Sequence, residues 1–141
     1  MQLSVSLAVG VLHWQMTEEK IDMEVNAAFL VAVFNKAREH PVYQQHYLNR
    51  RIVIVFDNAP AHSRTESRVS MMLGGPEEPG TAVKSYLLSR GLILLRLSPY
   101  SPMLNPCESV FSTLKAELKH RVLEKRNDIN NYTVCGSMTS F

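Results

Sequence analysis

The sequence predicts a mixed α/β domain, and three observations carry that reading. An N-terminal stretch alternates bulky apolar and small residues at period two. Two later runs, Arg51–Phe56 and Leu92–Leu95, are almost continuously apolar, and each ends abruptly in a polar loop. Stretches with helical spacing lie between and after them. The resulting order, β-β-α-β-α-β-α, belongs to a layered α/β architecture.

The first strand is read from Leu3, Val5, Leu7, Val9 and Val11, with Ser4, Ser6, Ala8 and Gly10 between them. Such a strand has one bulky and one small face. Gly10 offers a bend, and Val11–Met16 reads as the second arm of a hairpin. A helix follows from about Glu24 to Arg38, with Val25, Phe29, Val33 and Phe34 on one side. Pro41 halts it. Tyr43–Arg50 is polar and ambiguous. Arg51–Phe56 reads as an inner strand buried on both faces. Residues 64–80 lose periodicity and include Gly74-Gly-Pro-Glu-Glu-Pro-Gly80, so the stretch reads as a turn-rich insertion. Val83–Leu88 reads as a short helix closed by Gly91. Leu92–Leu95 is another buried-type strand leading into Ser98-Pro-Tyr-Ser-Pro102. The last helix starts clearly: Asn105 can cap, Pro106 suits the first position, and Glu108 stands three after the cap. Cys107, Phe111, Leu114 and Leu118 form its apolar stripe, and Glu108, Ser112, Lys115 and Lys119 a polar one. The domain is read as 1–126, and 127–141 as a polar C-terminal tail.

The 141 residues carry 15 Lys+Arg against 13 Asp+Glu, a net charge of +2, with 45% hydrophobic residues. That is a globular composition with enough apolar content for a core. Two cysteines, Cys107 and Cys135, match no zinc spacing and no disulfide scaffold, so a reducing intracellular compartment is the default. No apolar run approaches the ~20 residues of a membrane span. Met1–Val11 has no basic leader, which argues against a signal peptide.

Asp57 follows one buried-type strand, and Glu108 opens the helix after the next. Ligand sites of α/β sheets gather beyond the carboxyl ends of strands. On neighbouring strands the two acids would meet despite the 50 residues between them. Paired carboxylates call for a cation, and Mg²⁺ or Mn²⁺ is the hard-metal choice. The competing readings are structural: Asp57 as a turn-forming residue in Asp-Asn-Ala-Pro, and Glu108 as the acid of a capping box. Asn58 either steers a metal-bound water or caps the turn. His62 either contacts phosphate or reaction water, or is a surface histidine. Lys115, Lys119, Arg121, Lys125 and Arg126 outnumber Glu117 and Glu124, which suits a DNA backbone or a solvated helix equally. Arg50, Arg51, Arg64 and Arg68 add positive character near the site. Tyr100 and Trp14 read as packing residues, and Cys107 as a packed thiol.

Two segments narrow the choice. Val55-Phe-Asp-Asn-Ala-Pro-Ala-His-Ser63 and Leu97-Ser-Pro-Tyr-Ser-Pro-Met-Leu-Asn-Pro-Cys-Glu-Ser-Val-Phe111, followed by Leu114-Lys115, closely resemble the Tc1/mariner and IS630-like transposases. These are DDE superfamily endonucleases with an RNase H-like fold. The resemblance spans about residues 1–125. It implies a mixed sheet flanked by helices, with Asp57 and Glu108 as the second and third catalytic carboxylates and Asn58 and His62 beside them. It implies Mg²⁺ or Mn²⁺, a DNA partner, possible assembly with another transposase chain, and a nuclear location if the chain is eukaryotic.

Three departures shape the expectation. The spacing between the two acids exceeds the family's usual one. No helix-turn-helix region precedes the domain. The family's first catalytic Asp lies on a central strand upstream of the hairpin, and none of Glu18, Glu19, Asp22 and Glu24 matches it. The expectation is therefore an α/β domain lacking the first central strand, related to metal-dependent DNA cleavage and strand transfer but catalytically incomplete alone. The alternatives are a noncatalytic nucleic-acid-binding or interaction domain and a gene fragment without function.

Overall fold

The computed structural model describes residues 1–57, 64–99 and 102–138, with 102 and 126–138 by backbone alone. It divides into two compact units, Met1–Cys107 and Glu108–Phe141.

The first unit opens with a hairpin, β1 (Gln2–Ser6) and β2 (Gly10–Gln15), paired antiparallel from Gln2↔Gln15 to Ser6↔Gly10. A register shift between Ser4 and Val5 bends β1. The period-two pattern runs on past the actual strand end: residues 7–9 form the turn, and Leu7 is fully exposed. Alternation cannot distinguish a strand from a turn whose side chains happen to keep its period. Trp14, expected to pack, stands exposed on β2.

Helix α1 (Met23–Glu39) is the organising element. Asp22 caps it, accepting from the Val25 N–H at 2.9 Å, and Lys36 and Arg38 suit its last turn. Ala27, Phe29, Leu30, Val33 and Phe34 are buried in the core with Val69, Val83, Leu87 and Leu92. The His13 ring of β2 stacks on Phe29 with centroids 5.4 Å apart. A polar thread crosses this core: the Gln2 amide donates to Asn26 Oδ1 at 3.3 Å, and the Asn26 amide to Thr65 Oγ1 at 3.5 Å. It ties β1, α1 and the start of α3 together. Pro41 ends α1 as expected, yet it also serves as first residue of a further short helix, α2 (Pro41–His46).

The mixed sheet takes the form of two separate pairs. β3 (Ile52–Phe56) and β4 (Leu92–Arg96) run parallel, in register from Ile52↔Leu92 to Phe56↔Arg96. Helix α1 packs against both β2 and β3. Among the described residues no strand joins β1 to β3. The expectation that β3 is buried on both faces fails for this reason. Ile52 and Ile54 face the core, whereas Val53 and Val55 remain 49% and 48% exposed. On β4 Leu92 is buried and Leu95 exposed.

The stretch read as an insertion is corrected over its first half. Thr65–Met72 is a core helix, α3, with Thr65, Val69 and Ser70 fully buried against α1. Its serines and threonine weaken the helical apolar pattern, which is why periodicity missed it. Only the turn after it is irregular, and that turn is tied down. Ser70 Oγ donates to the Pro76 carbonyl at 2.7 Å, and Tyr86 Oη to the Leu73 carbonyl at 2.6 Å. Helix α4 (Thr81–Ser89) follows, and Gly91, at φ +79°, turns the chain into β4.

Helix α5 (Pro106–Met138) makes up the second unit, and its first two residues, Pro106 and Cys107, belong to the first. The polar tail expected from residue 127 continues this helix to Met138. Among the described residues no helix is long and apolar enough to cross a membrane.

Candidate functional site

Asp57 directly follows β3, at the carboxyl end of the parallel pair, and is exposed. This is the position expected for a ligand-binding acid of an α/β sheet. The Leu97 N–H donates to the Phe56 carbonyl at 2.8 Å and extends the ladder by one bond past the paired residues. Asn58 and His62 lie outside the described residues, as does Tyr100.

Beside Asp57 stands an ion pair that the sequence reading missed. Arg96, the last residue of β4, is opposite Phe56 in register, with its guanidinium 5.5 Å from the Phe56 ring centroid. It donates through Nε and Nη2 to the two carboxylate oxygens of Glu66 at 2.9 and 2.7 Å. This hydrogen bonding holds the Glu66 carboxyl below its ordinary range and raises Arg96. The bidentate pair fastens the first turn of α3 to the end of β4 and neutralises a guanidinium on the Asp57 side of the sheet. Sequence offers no signal for it, since the partners are 30 residues apart.

The positive character expected around the site is also redistributed. Arg68 is engaged by Glu24 at 2.9 Å and lies 4.0 Å from Glu77. Arg50 and Arg51 precede β3, whereas Asp57 follows it. At ~3.3 Å per residue they stand roughly 20 Å away, at the opposite end of the strand.

Glu108 lies in the first turn of α5. The cap forms as expected, with the Cys107 N–H donating to Asn105 Oδ1 at 3.1 Å. The return bond from Glu108 that would complete a capping box is absent among the described residues, and the carboxylate is exposed. Cys107 is half-buried, with its thiol 3.6 Å from the Leu3 carbonyl. Further along α5, Lys115 and Lys119 are exposed and lack an ion-pair partner among the described residues. Arg121 pairs with Glu117 at 2.8 Å, one turn back on an exposed face. Among the described residues no group of three or more His, Cys, Asp or Glu forms a metal-holding cluster.

Residues 4–130 match the family model described as DDE superfamily endonuclease. Two structures of the Mos1 mariner transposase catalytic domain, one of them determined with raltegravir and Mn, share the fold. Each aligns with a TM-score of 0.51 at 22% identity over 78% of this chain. The aligned part is 47% and 48% of those chains, so this chain spans about half their length. No curated protein sequence matches. With a small parallel and a small antiparallel sheet flanked by helices, and both motifs inside the matched range, this chain belongs to the DDE superfamily endonuclease family, with the fold seen in the mariner transposase catalytic domain.

Proposed function

We propose that this chain is a transposase-derived DDE endonuclease domain in which Asp57 and Glu108 are two of the acidic ligands for Mg²⁺ or Mn²⁺. The observation that supports this best is the exposed Asp57 at the carboxyl end of β3, inside a motif of a family-matched range. The donor chemistry fits a hard divalent cation: both groups are carboxylates, both are exposed, and Glu108 is not consumed by its helix cap. When bound, such ions activate a water and stabilise the departing oxygen of a phosphodiester. Asp57 and Glu108 would hold them, and Lys115 and Lys119 on α5 would meet the DNA backbone. Asn58 and His62 are proposed beside the acids, and Arg121 can join the lysines only by giving up Glu117, a weak exposed partner. The partners are DNA and another transposase chain, in the nucleus if the source is eukaryotic.

Residues 1–141 alone are proposed to cleave DNA poorly. Two candidates for a third carboxylate have other work: Asp22 caps α1 and Glu24 pairs with Arg68. That observation also favours a second reading, a noncatalytic DNA-binding domain. A Mg²⁺ and Mn²⁺ titration followed by amide NMR separates the two. Saturable shifts at Asp57 and Glu108, abolished by Asp57→Asn, are expected. A folded protein without such shifts, whose salt-sensitive DNA binding survives Asp57→Asn and Glu108→Gln, would establish the noncatalytic reading instead.

A further inference from the structure

At the end of the β3–β4 pair remote from Asp57 lies a cleft of about 240 Å³. Arg38, Arg50, Arg51 and Arg90 line it, together with Asn49 and the buried Phe34. We propose that this cleft is a second nucleic-acid contact, a seat for the phosphodiester backbone of DNA. The inference rests on the reading that the domain handles DNA, but not on the metal.

The four guanidiniums come from three separate elements. Arg38 lies in the last turn of α1 with its guanidinium 5.5 Å from the Phe34 ring centroid, Arg50 and Arg51 lead into β3, and Arg90 caps α4. The parallel register brings two of these together: Ile52 stands opposite Leu92, so Arg50–Arg51 runs beside Arg90–Gly91. Adjacent strands are ~4.8 Å apart. The turn that presents Arg50 is held, not loose. The Tyr43 hydroxyl shares its one proton between the Leu48 and Arg50 carbonyls at 3.2 and 3.0 Å, and the Arg50 N–H donates to the Tyr47 carbonyl at 2.8 Å.

No carboxylate lines the cleft, and among the described residues none of the four guanidiniums has an ion-pair partner. The contrast with Arg68, Arg96 and Arg121 is direct, since each of those has its own glutamate. Like charges gathered without a counter-charge repel one another, and an anion entering the cleft relieves that repulsion. Guanidinium forks match phosphate oxygens in a bidentate way.

The test is fluorescence anisotropy with a random-sequence duplex of 24 base pairs, in EDTA, from 50 to 200 mM KCl. Metal binding then plays no part. Two variants, Arg50→Gln/Arg90→Gln and Arg38→Gln/Arg51→Gln, each remove two contacts from exposed positions. Each should flatten the log K against log salt slope by about 1.8, at ~0.9 per phosphate. Over this fourfold salt range the wild type then loses about 12-fold more affinity than the variant. Arg68→Gln/Lys84→Gln removes the same charge elsewhere and should leave the slope in place. Circular dichroism confirms that each variant is folded. An equal loss in that control would reduce the effect to net charge and overturn the cleft. So would displacement of the duplex by polyglutamate as readily as by unlabelled DNA. Wild-type binding with an unchanged slope in both cleft variants overturns this inference alone. No wild-type binding at 50 mM overturns the DNA-handling reading as well.

Discussion

Removing the Glu66–Arg96 pair should loosen the Asp57 end of the parallel sheet by a measurable, pH-dependent amount. Both side chains are under a third exposed, at 28% and 30%, and the contact is bidentate. A hydrogen bond to a charged group contributes ~1.5–3 kcal/mol. Solvent reaches this pair, so the coupling belongs near the top of the range for exposed ion pairs, about 1 kcal/mol. Arg96→Ala also loses the contact with the Phe56 ring, worth ~0.5–1 kcal/mol, and should therefore cost more than Glu66→Ala. A double-mutant cycle by urea unfolding isolates the shared term. Hydrogen bonding from Arg96 lowers the Glu66 carboxyl below its ordinary 4.5 in the folded protein. The contribution is therefore fully present above that value and is lost as pH falls through the depressed folded value. The coupling should be flat from pH 7 to about pH 5 and shrink below ~4.5. A coupling of zero at pH 7, or one that persists undiminished through pH 3, would refute the reasoning.

Two further outcomes follow from local geometry. Gly75→Ala would drive a Cβ into the Tyr86 ring and Ser70 Oγ, and should cost ~1–3 kcal/mol in thermal unfolding. In a Tyr86→Ala background the same change should cost much less, and strict additivity would contradict the overlap. Asp22→Ala removes the cap of α1 and should lower stability by ~1 kcal/mol, whereas Asp22→Asn should retain most of it.

Several features were legible in the chain because they are local. Asn105 caps α5, Pro106 begins it and Gly91 closes α4, as their backbone preferences dictate. The hairpin, α1 and the two apolar strands follow from their periods, and Asp57 and Glu108 stand at the ends of elements as their motifs suggest. Helix α3 was not legible, because Thr65, Ser67 and Ser70 are buried by packing that a hydropathy pattern does not count. The exposure of Val53 and Val55 was not legible either, because strand composition does not reveal what covers a sheet.

The sequence by itself determined the family, and it set Asp57 and Glu108 at the ends of elements, since both stand in short ordered motifs. Only tertiary structure decided which charges are spent. Arg68 and Arg96 look like Arg38 and Arg90 in one dimension. Their partners are set by contacts between elements, and the Coulomb interaction of two side chains falls with their distance in space, not along the chain. The same reason gathers arginines from α1, the approach to β3 and the end of α4 around one cleft, while Asp57 stands at the far end of the strand.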